Sequence, residues 1–247
     1  MTDKKPFFWL HIKKVAGGTI RKRLSPWYVQ AERVHKPVNF IQSDPSAYND
    51  ILNNFRVPLG AYQFRRADFA RTFLYPETWE GMVRFAFLRE PISRCVSAFH
   101  YLQKPRGGER SFVQHLIETG QPVPETMEGL FDVFLDLVES ARRSASIYEP
   151  VNLHFTTHTA PVFPDVTDKN GNLLLSQLFR LEDLDAALEH VASLCGLPRP
   201  DMSLAESKNV GDADVAYVPT ASQAEKVNWL YADDLLLYET CDRLPIQ

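Results

Sequence analysis

In Phe7-Phe8-Trp9-Leu10-His11-Ile12-Lys13-Lys14-Val15-Ala16-Gly17-Gly18-Thr19-Ile20-Arg21 an apolar run gives way to lysines, a pair of glycines and a threonine. Phe7 to Ile12 is almost wholly apolar or aromatic, the pattern of a strand covered on both faces. Thr19 to Leu24 opens a helix that Pro26 ends or interrupts. The loop between them presents backbone N–H groups, a Lys14 ammonium and a Thr19 hydroxyl to one anion, at the positive end of a helix dipole. A phosphate or sulfate suits it. The loop is not a Walker A motif, which places its lysine after the last glycine and directly before Ser or Thr. Taken alone, it reads equally well as a Gly-rich turn carrying a solvated lysine.

Further along, Val83-Arg84-Phe85-Ala86-Phe87-Leu88 is a second strand. Pro91 follows near a helix start, where its missing N–H is harmless. Ile92, Cys95, Val96, Phe99 and Leu102 then recur at helical spacing and give that helix a core face. Arg89 leaves the strand, and Ser97 falls about two turns into the helix. A planar guanidinium and a hydroxyl converging in this way suit one phosphate. The alternative is that Arg89 pairs with Glu90 or Asp68 while Ser97 merely packs.

The rest of the chain supplies further elements. Val38 to Ile41 and Val57 to Tyr62 have strand character, and Tyr48 to Phe55 that of a short helix. Residues 104–110 form a basic, mobile loop or lid, and 119–128 a Pro-rich connection. Helices are expected over Ser111–Glu118, Leu130–Arg142 and Leu184–Leu194, a strand over Leu173–Leu181, and a final amphipathic helix over Ala221–Cys241. Residues 150–172 and 199–220 read as loops. Strands alternating with helices favour an α/β fold with a central, mostly parallel sheet. The length of 247 residues favours one domain, 1–247, with a core of its own.

Composition narrows the function. A net charge of −4 argues against a broad nucleic-acid footprint and leaves room for a local basic pocket. Cys95, Cys195 and Cys241 lie far apart with no CxxC, so reduced thiols are expected. The seven histidines show no metal-ligand spacing, so no metal is expected. The polar start and a short apolar run, against roughly 20 residues for a membrane span, point to a cytoplasmic protein with no membrane span.

The two motifs together resemble the cofactor-binding signatures of the PAPS-dependent sulfotransferases, in particular the carbohydrate group that includes heparan sulfate 2-O- and chondroitin sulfotransferases. His11 to Thr19 is similar to the first signature and Leu88 to Ser97 to the second. His154-Phe155-Thr156-Thr157-His158-Thr159, Leu178-Phe179-Arg180-Leu181-Glu182-Asp183-Leu184 and Tyr231-Ala232-Asp233-Asp234 extend the likeness in the same order. The resemblance implies a P-loop-like, three-layer α/β domain that uses PAPS (3′-phosphoadenosine 5′-phosphosulfate) without a metal. It assigns Lys14, Ala16, Gly17, Gly18 and Thr19 to the 5′-phosphosulfate, and Arg89 and Ser97 to the 3′-phosphate. The acceptor it favours is a saccharide hydroxyl.

Sulfuryl transfer needs an aligned acceptor and a cation beside the leaving oxygen, a role that suits Lys14. It also needs a base, and His is the usual choice near neutrality. Many relatives carry a Gly-His pair where this chain has Gly60-Ala61-Tyr62. The base candidates are therefore His154, then His158, with His35 and His100 behind them. His11 is read as a loop anchor, and Arg180 with Glu182 as an ion pair at a strand end. Two other classes stay open: an ATP-dependent, kinase-like enzyme, and a non-catalytic homologue that binds PAPS or its product. The oligomeric state is not legible.

Overall fold

The computed structural model describes residues 5–27, 41–44, 47–49, 59–106, 108–201 and 217–241. In chain order these form β1 (Phe7–Leu10), α1 (Gly17–Leu24), β2 (Ile41–Asp44), β3 (Ala47–Asn49), α2 (Arg66–Phe69), β4 (Val83–Leu88), α3 (Pro91–Leu102), α4 (Phe112–Glu118), α5 (Met127–Arg143), α6 (Leu153–Thr159), α7 (Phe163–Val166), β5 (Gln177–Arg180), α8 (Leu184–Cys195), α9 (Ala221–Leu230) and α10 (Ala232–Thr240). The chain divides into two compact units. The first takes in the described residues up to Arg89, those of 162–201 and those from 237 on. The second takes in 90–161 and the described residues of 217–236.

The first unit is a mixed α/β structure. Its sheet has five strands in the order β3-β2-β1-β4-β5. β1, β4 and β5 run parallel, while β2 and β3 pair antiparallel at one side. Every side chain of β1 is buried, as is every side chain of β4 from Phe85 onward. Such strands need cover on both faces, which explains their lack of polar alternation. Phe85 bridges the strands: its ring lies 6.0 Å from Phe7 and 6.2 Å from Phe179. α8 packs on β4 and β5 through Ala187, Leu188 and Val191. Ile20 and Leu24 of α1 enter the same core.

The second unit is helical and centred on Phe99 of α3. Its ring is 4.9 Å from Phe131, 5.4 Å from Phe134 and 6.0 Å from Phe112. Cys95 is buried here too, and burial pushes its thiol up to about 12, so it stays protonated and inert. The buried Arg94 crosses the unit. It donates to Asp234 at 2.9 Å and to the Ala160 carbonyl at 3.1 Å, and its guanidinium lies 4.8 Å from the Tyr231 ring centre. The outward-facing Arg142 covers the same ring at 4.2 Å. Tyr231 in turn donates to the Thr159 carbonyl at 2.8 Å.

Several expected elements differ. The last helix is two helices, α9 and α10, which meet at Tyr231 with φ −122°. The bonds of Tyr231 fix that break, and no helix-breaking residue marks it in the sequence. Residues 150–172, expected to be loop, contain α6 and α7. Asn152 caps α6 by accepting from the Phe155 amide at 2.8 Å, Thr159 turns its hydroxyl back onto the Phe155 carbonyl at 2.9 Å, and Thr156 donates to the Ile147 carbonyl at 2.6 Å. Gly60–Tyr62 is a 3₁₀ turn, not strand, since Gly60 has φ 57°, outside the extended region. Tyr48 and Asn49 lie in β3 instead of a helix, and Leu173 and Leu174 precede a shorter β5. His35, residues 38–40, 50–58 and 202–216, and Gly107 fall outside the described residues.

Removing the carboxylate of Asp234 strands the Arg94 charge in the interior. Asp234→Ala is expected to destabilise the protein by about 3–5 kcal/mol, the range for breaking a buried ion pair. Urea denaturation measures it; a loss under about 1 kcal/mol, as for an exposed pair, shows that Arg94 is not sealed from water.

Candidate functional site

The parallel pairing brings two predicted site segments to one sheet edge. β1 pairs Leu10 with Ala86 of β4. The Lys14 loop continues from β1 and Arg89 continues from β4, so both leave adjacent strands in the same direction. Ligands of open α/β sheets bind at this carboxyl edge.

The loop after β1 is tightly constrained. Lys14 (φ 67°) and Ala16 (φ 55°) are both left-handed, a conformation that an L-residue adopts at an energetic cost. Val15, between them, is fully buried and pins the turn to the core. The Ala16 carbonyl accepts from the amides of Thr19 at 2.9 Å and Ile20 at 3.1 Å, so Ala16 occupies the cap position of α1. Ser, Thr, Asp and Asn are preferred there because a side-chain oxygen satisfies the first-turn amides. Ala16 has no such oxygen. The Gly17 and Gly18 amides, which helix geometry leaves without intrahelical acceptors, are thus suited to an external anion.

Gly17 has a second, steric reason. A Cβ built on it would lie 1.8 Å from Nε2 of His11. The His11 ring stacks on Trp9 at 5.1 Å and fills the space beside the glycine. His11 is thus the loop anchor expected of it.

The two carboxylates weighed as partners of Arg89 both have further bonds of their own. Glu90 caps α3, accepting from the amides of Ile92 at 2.9 Å and Ser93 at 2.7 Å. Asp68 accepts from Arg71 at 2.7 Å and lies 3.9 Å from Arg65. Arg180, expected to pair with Glu182, turns to the chain's last helix instead. It lies 4.4 Å from the Tyr238 ring centre and donates to the Glu239 carbonyl at 3.2 Å.

The remaining predicted residues belong to the second unit. Ser97 is half-buried on α3. His154 and His158 sit one turn apart on α6, both buried, with rings 4.2 Å apart. Tyr101 stacks on His158 at 4.8 Å, and Arg106 lies 4.7 Å from the Tyr101 ring centre. Nδ1 of His158 is 2.8 Å from the His154 carbonyl. A carbonyl only accepts, so Nδ1 carries a proton. His100 accepts from the Tyr217 amide at 3.4 Å, and burial lowers its pKa. In the basic loop, Arg110 bonds Glu118 and the Val151 carbonyl.

Residues 1–238 match the family model described as the Sulfotransferase family. This chain belongs to the sulfotransferase family. No curated protein and no solved structure matches it significantly. Membership of the sulfotransferase family assigns PAPS-dependent sulfotransfer, in general terms, with a hydroxyl-bearing acceptor. The residues at the sheet edge fit such a donor. An ammonium, an uncapped helix start and a guanidinium are the partners that phosphate and sulfate oxygens require. Among the described residues no group of three or more His, Cys, Asp or Glu is arranged to hold a metal ion, and no helix is long and apolar enough to cross a membrane.

Sequence reasoning missed Arg66 and Asp165, which bond each other across 99 positions and reach the loop through the His11 carbonyl. Neither sits in a motif, so only the folded chain exposes the link.

The packing of His11 on Gly17 can be tested directly. Gly17→Ala is expected to destabilise the protein by about 1–3 kcal/mol, as for overpacking. His11→Ala in the same chain should restore most of that loss in a urea titration. No recovery would show that the Cβ meets something other than the ring.

Proposed function

We propose that this sulfotransferase moves a sulfuryl group from PAPS to a saccharide hydroxyl by in-line displacement. In this reading Lys14, Ala16, Gly17, Gly18 and Thr19 hold the 5′-phosphosulfate, and Arg89 with Ser97 holds the 3′-phosphate. The observation that carries it is the delivery of the Lys14 loop and Arg89 to one edge by the parallel pair β1 and β4. The saccharide rests on the motif resemblance to the carbohydrate group.

When bound, PAPS supplies the activated sulfuryl group and a phosphate leaving group. The chain's own residues do the rest. Lys14 places a positive charge beside the oxygen on which charge develops, and the amides of α1 add the positive end of a helix dipole. The strained loop holds that charge in position before reaction, so little reorganisation is needed. Arg89 and Ser97 fix the far end of the nucleotide and so the direction of attack.

For the base, the pair His154 and His158 remains the proposal. Nδ1 of His158 donates to the His154 carbonyl, which fixes the orientation of that ring and favours it within the pair. His154 then orients its neighbour through that carbonyl. The absence of a histidine at Gly60-Ala61-Tyr62 is what supports the competing reading of a non-catalytic, nucleotide-binding homologue.

Two variants separate the roles of the donor residues. Arg89→Ala should weaken binding of adenosine 3′,5′-bisphosphate by about 1.5–3 kcal/mol, the scale of a hydrogen bond to a charged group. Lys14→Ala should lower single-turnover transfer far more than nucleotide affinity, because its charge is worth most in the transition state. Calorimetry and a transfer screen across an acceptor panel read both. Unchanged affinity in the Arg89 variant rejects the 3′-phosphate assignment, and tight binding with no transfer to any acceptor selects the non-catalytic reading.

The base is tested on an acceptor that the parent protein sulfates. His158→Ala should lower transfer by about 10²–10⁴-fold with nucleotide affinity retained. Near-parent transfer would remove His158, and the same measurement on His154→Ala would then decide whether the pair holds the base at all.

A further inference from the structure

We infer that Arg66, held by Asp165, is a positioning residue that fixes the Lys14 loop in its reactive geometry. The inference rests on the reading of that loop as the sulfuryl-donor site.

The observation is one guanidinium with its donors divided between a carboxylate and a loop. Nε and Nη2 of Arg66 donate to Oδ2 of Asp165 at 2.9 and 2.6 Å. The Arg66 amide donates to Oδ1 of the same carboxylate at 3.0 Å. Asp165 thereby holds both the side chain and the first turn of α2. Nη1 is left to point elsewhere, and it donates to the His11 carbonyl at 3.0 Å. Arg66 is 7% exposed and Asp165 3%, so the bonds between them are shielded from water.

A guanidinium is flat, so three of its nitrogens lie in one plane with fixed angles between them. Once Asp165 takes two of them, the direction of the third is set. The His11 carbonyl is therefore located relative to α2 and α7, which contact each other. His11 is the first residue after β1, and its own ring lies against Gly17 at the start of α1. The backbone at one end of the loop and the side-chain packing at the other are thus tied to a single residue.

The loop has reason to need such a tie. Lys14 and Ala16 both have positive φ without being glycine. A strained segment of this kind persists only where its surroundings over-determine it. Left alone, the backbone would relax and carry the Lys14 ammonium away from its place. Simple stability does not explain the arrangement, because a buried ion pair is commonly replaceable by apolar residues at no loss. What apolar residues cannot reproduce is the bond to the His11 carbonyl.

Two variants test this, each alone and combined with Lys14→Ala. Arg66→Lys keeps a charge for Asp165 but loses the fork. Arg66→Met with Asp165→Leu removes the pair and its buried charge together. Thermal melting reports folding, hydrogen exchange of the amides over 12–20 reports the loop, and transfer assays with calorimetry of adenosine 3′,5′-bisphosphate report the site. The expected result is a melting temperature close to the parent's and full binding stoichiometry, with faster exchange in the loop and, where Asp165 is replaced, also at the Arg66 amide that it no longer holds. kcat should fall by about 10²-fold, the effect of a small misplacement at a reacting centre, with the acceptor KM unchanged. Lys14→Ala should then cost about 10-fold less in either background than in the parent, as for two groups in one network.

Parent-like loop exchange and transfer in a folded variant would overturn the inference, and so would strictly additive losses with Lys14→Ala. Unfolding of both variants would make the pair a structural strut and overturn it too. A harmless Lys14→Ala in the parent, with loop exchange still raised by the Arg66 variants, would overturn the donor-site reading and with it any effect of the tie on reaction.

Discussion

Four register pairs, from Phe7 with Val83 to Leu10 with Ala86, hold β1 parallel to β4, and the proposed donor site depends on them. Parallel strands release their chains at the same edge, so two segments far apart in sequence leave side by side. The pairing is enforced by burial. Phe7, Phe8, Trp9 and Leu10 leave no polar face to turn outward, and a slip by one residue would exchange which side chains fill each face of the core. Phe85 and Phe179 extend the same packing to β5. Fixed register in the apolar strands therefore becomes fixed placement of the polar residues that follow them.

Charge is handled in a consistent way around this frame. The chain carries a net charge of −4, yet the segments proposed to hold the donor are basic. Among the described residues, Glu90 accepts from backbone amides, Asp68 from Arg71, and Asp165 from Arg66. In the second unit Asp234 is likewise taken by Arg94. A net charge for the whole chain does not describe such local pairings.

What the sequence made legible were features decided locally. The runs Phe7–Leu10 and Phe85–Leu88, the helical spacing from Ile92 to Leu102, and the Pro91 start of α3 all appear in the structure. Lys14 and Arg89 stood out because lysine beside glycines, and arginine at a strand end, are local patterns too. The missed features are decided by distant partners. α2 starts on a carboxylate from α7, so no window of sequence around Arg66 predicts it. The division between α9 and α10 depends on Tyr231 bonding the Thr159 carbonyl. Threonine-rich α6 reads as loop because threonine is a weak helix former, yet Thr159 donates to the Phe155 carbonyl in the turn before and Thr156 to the distant Ile147 carbonyl. Arg66 itself carried no sequence signal, being one arginine among several.

The contact between His11 and Gly17 ties two positions into a single unit of inheritance. A side chain at position 17 needs the space that the imidazole fills, so the two residues can change together far more easily than either can alone. Homologous sequences aligned over this loop should accordingly show glycine at 17 wherever a large ring stands at 11, and lose that requirement where 11 is small. Such paired variation would record the geometry of the loop in chains whose structures have never been determined.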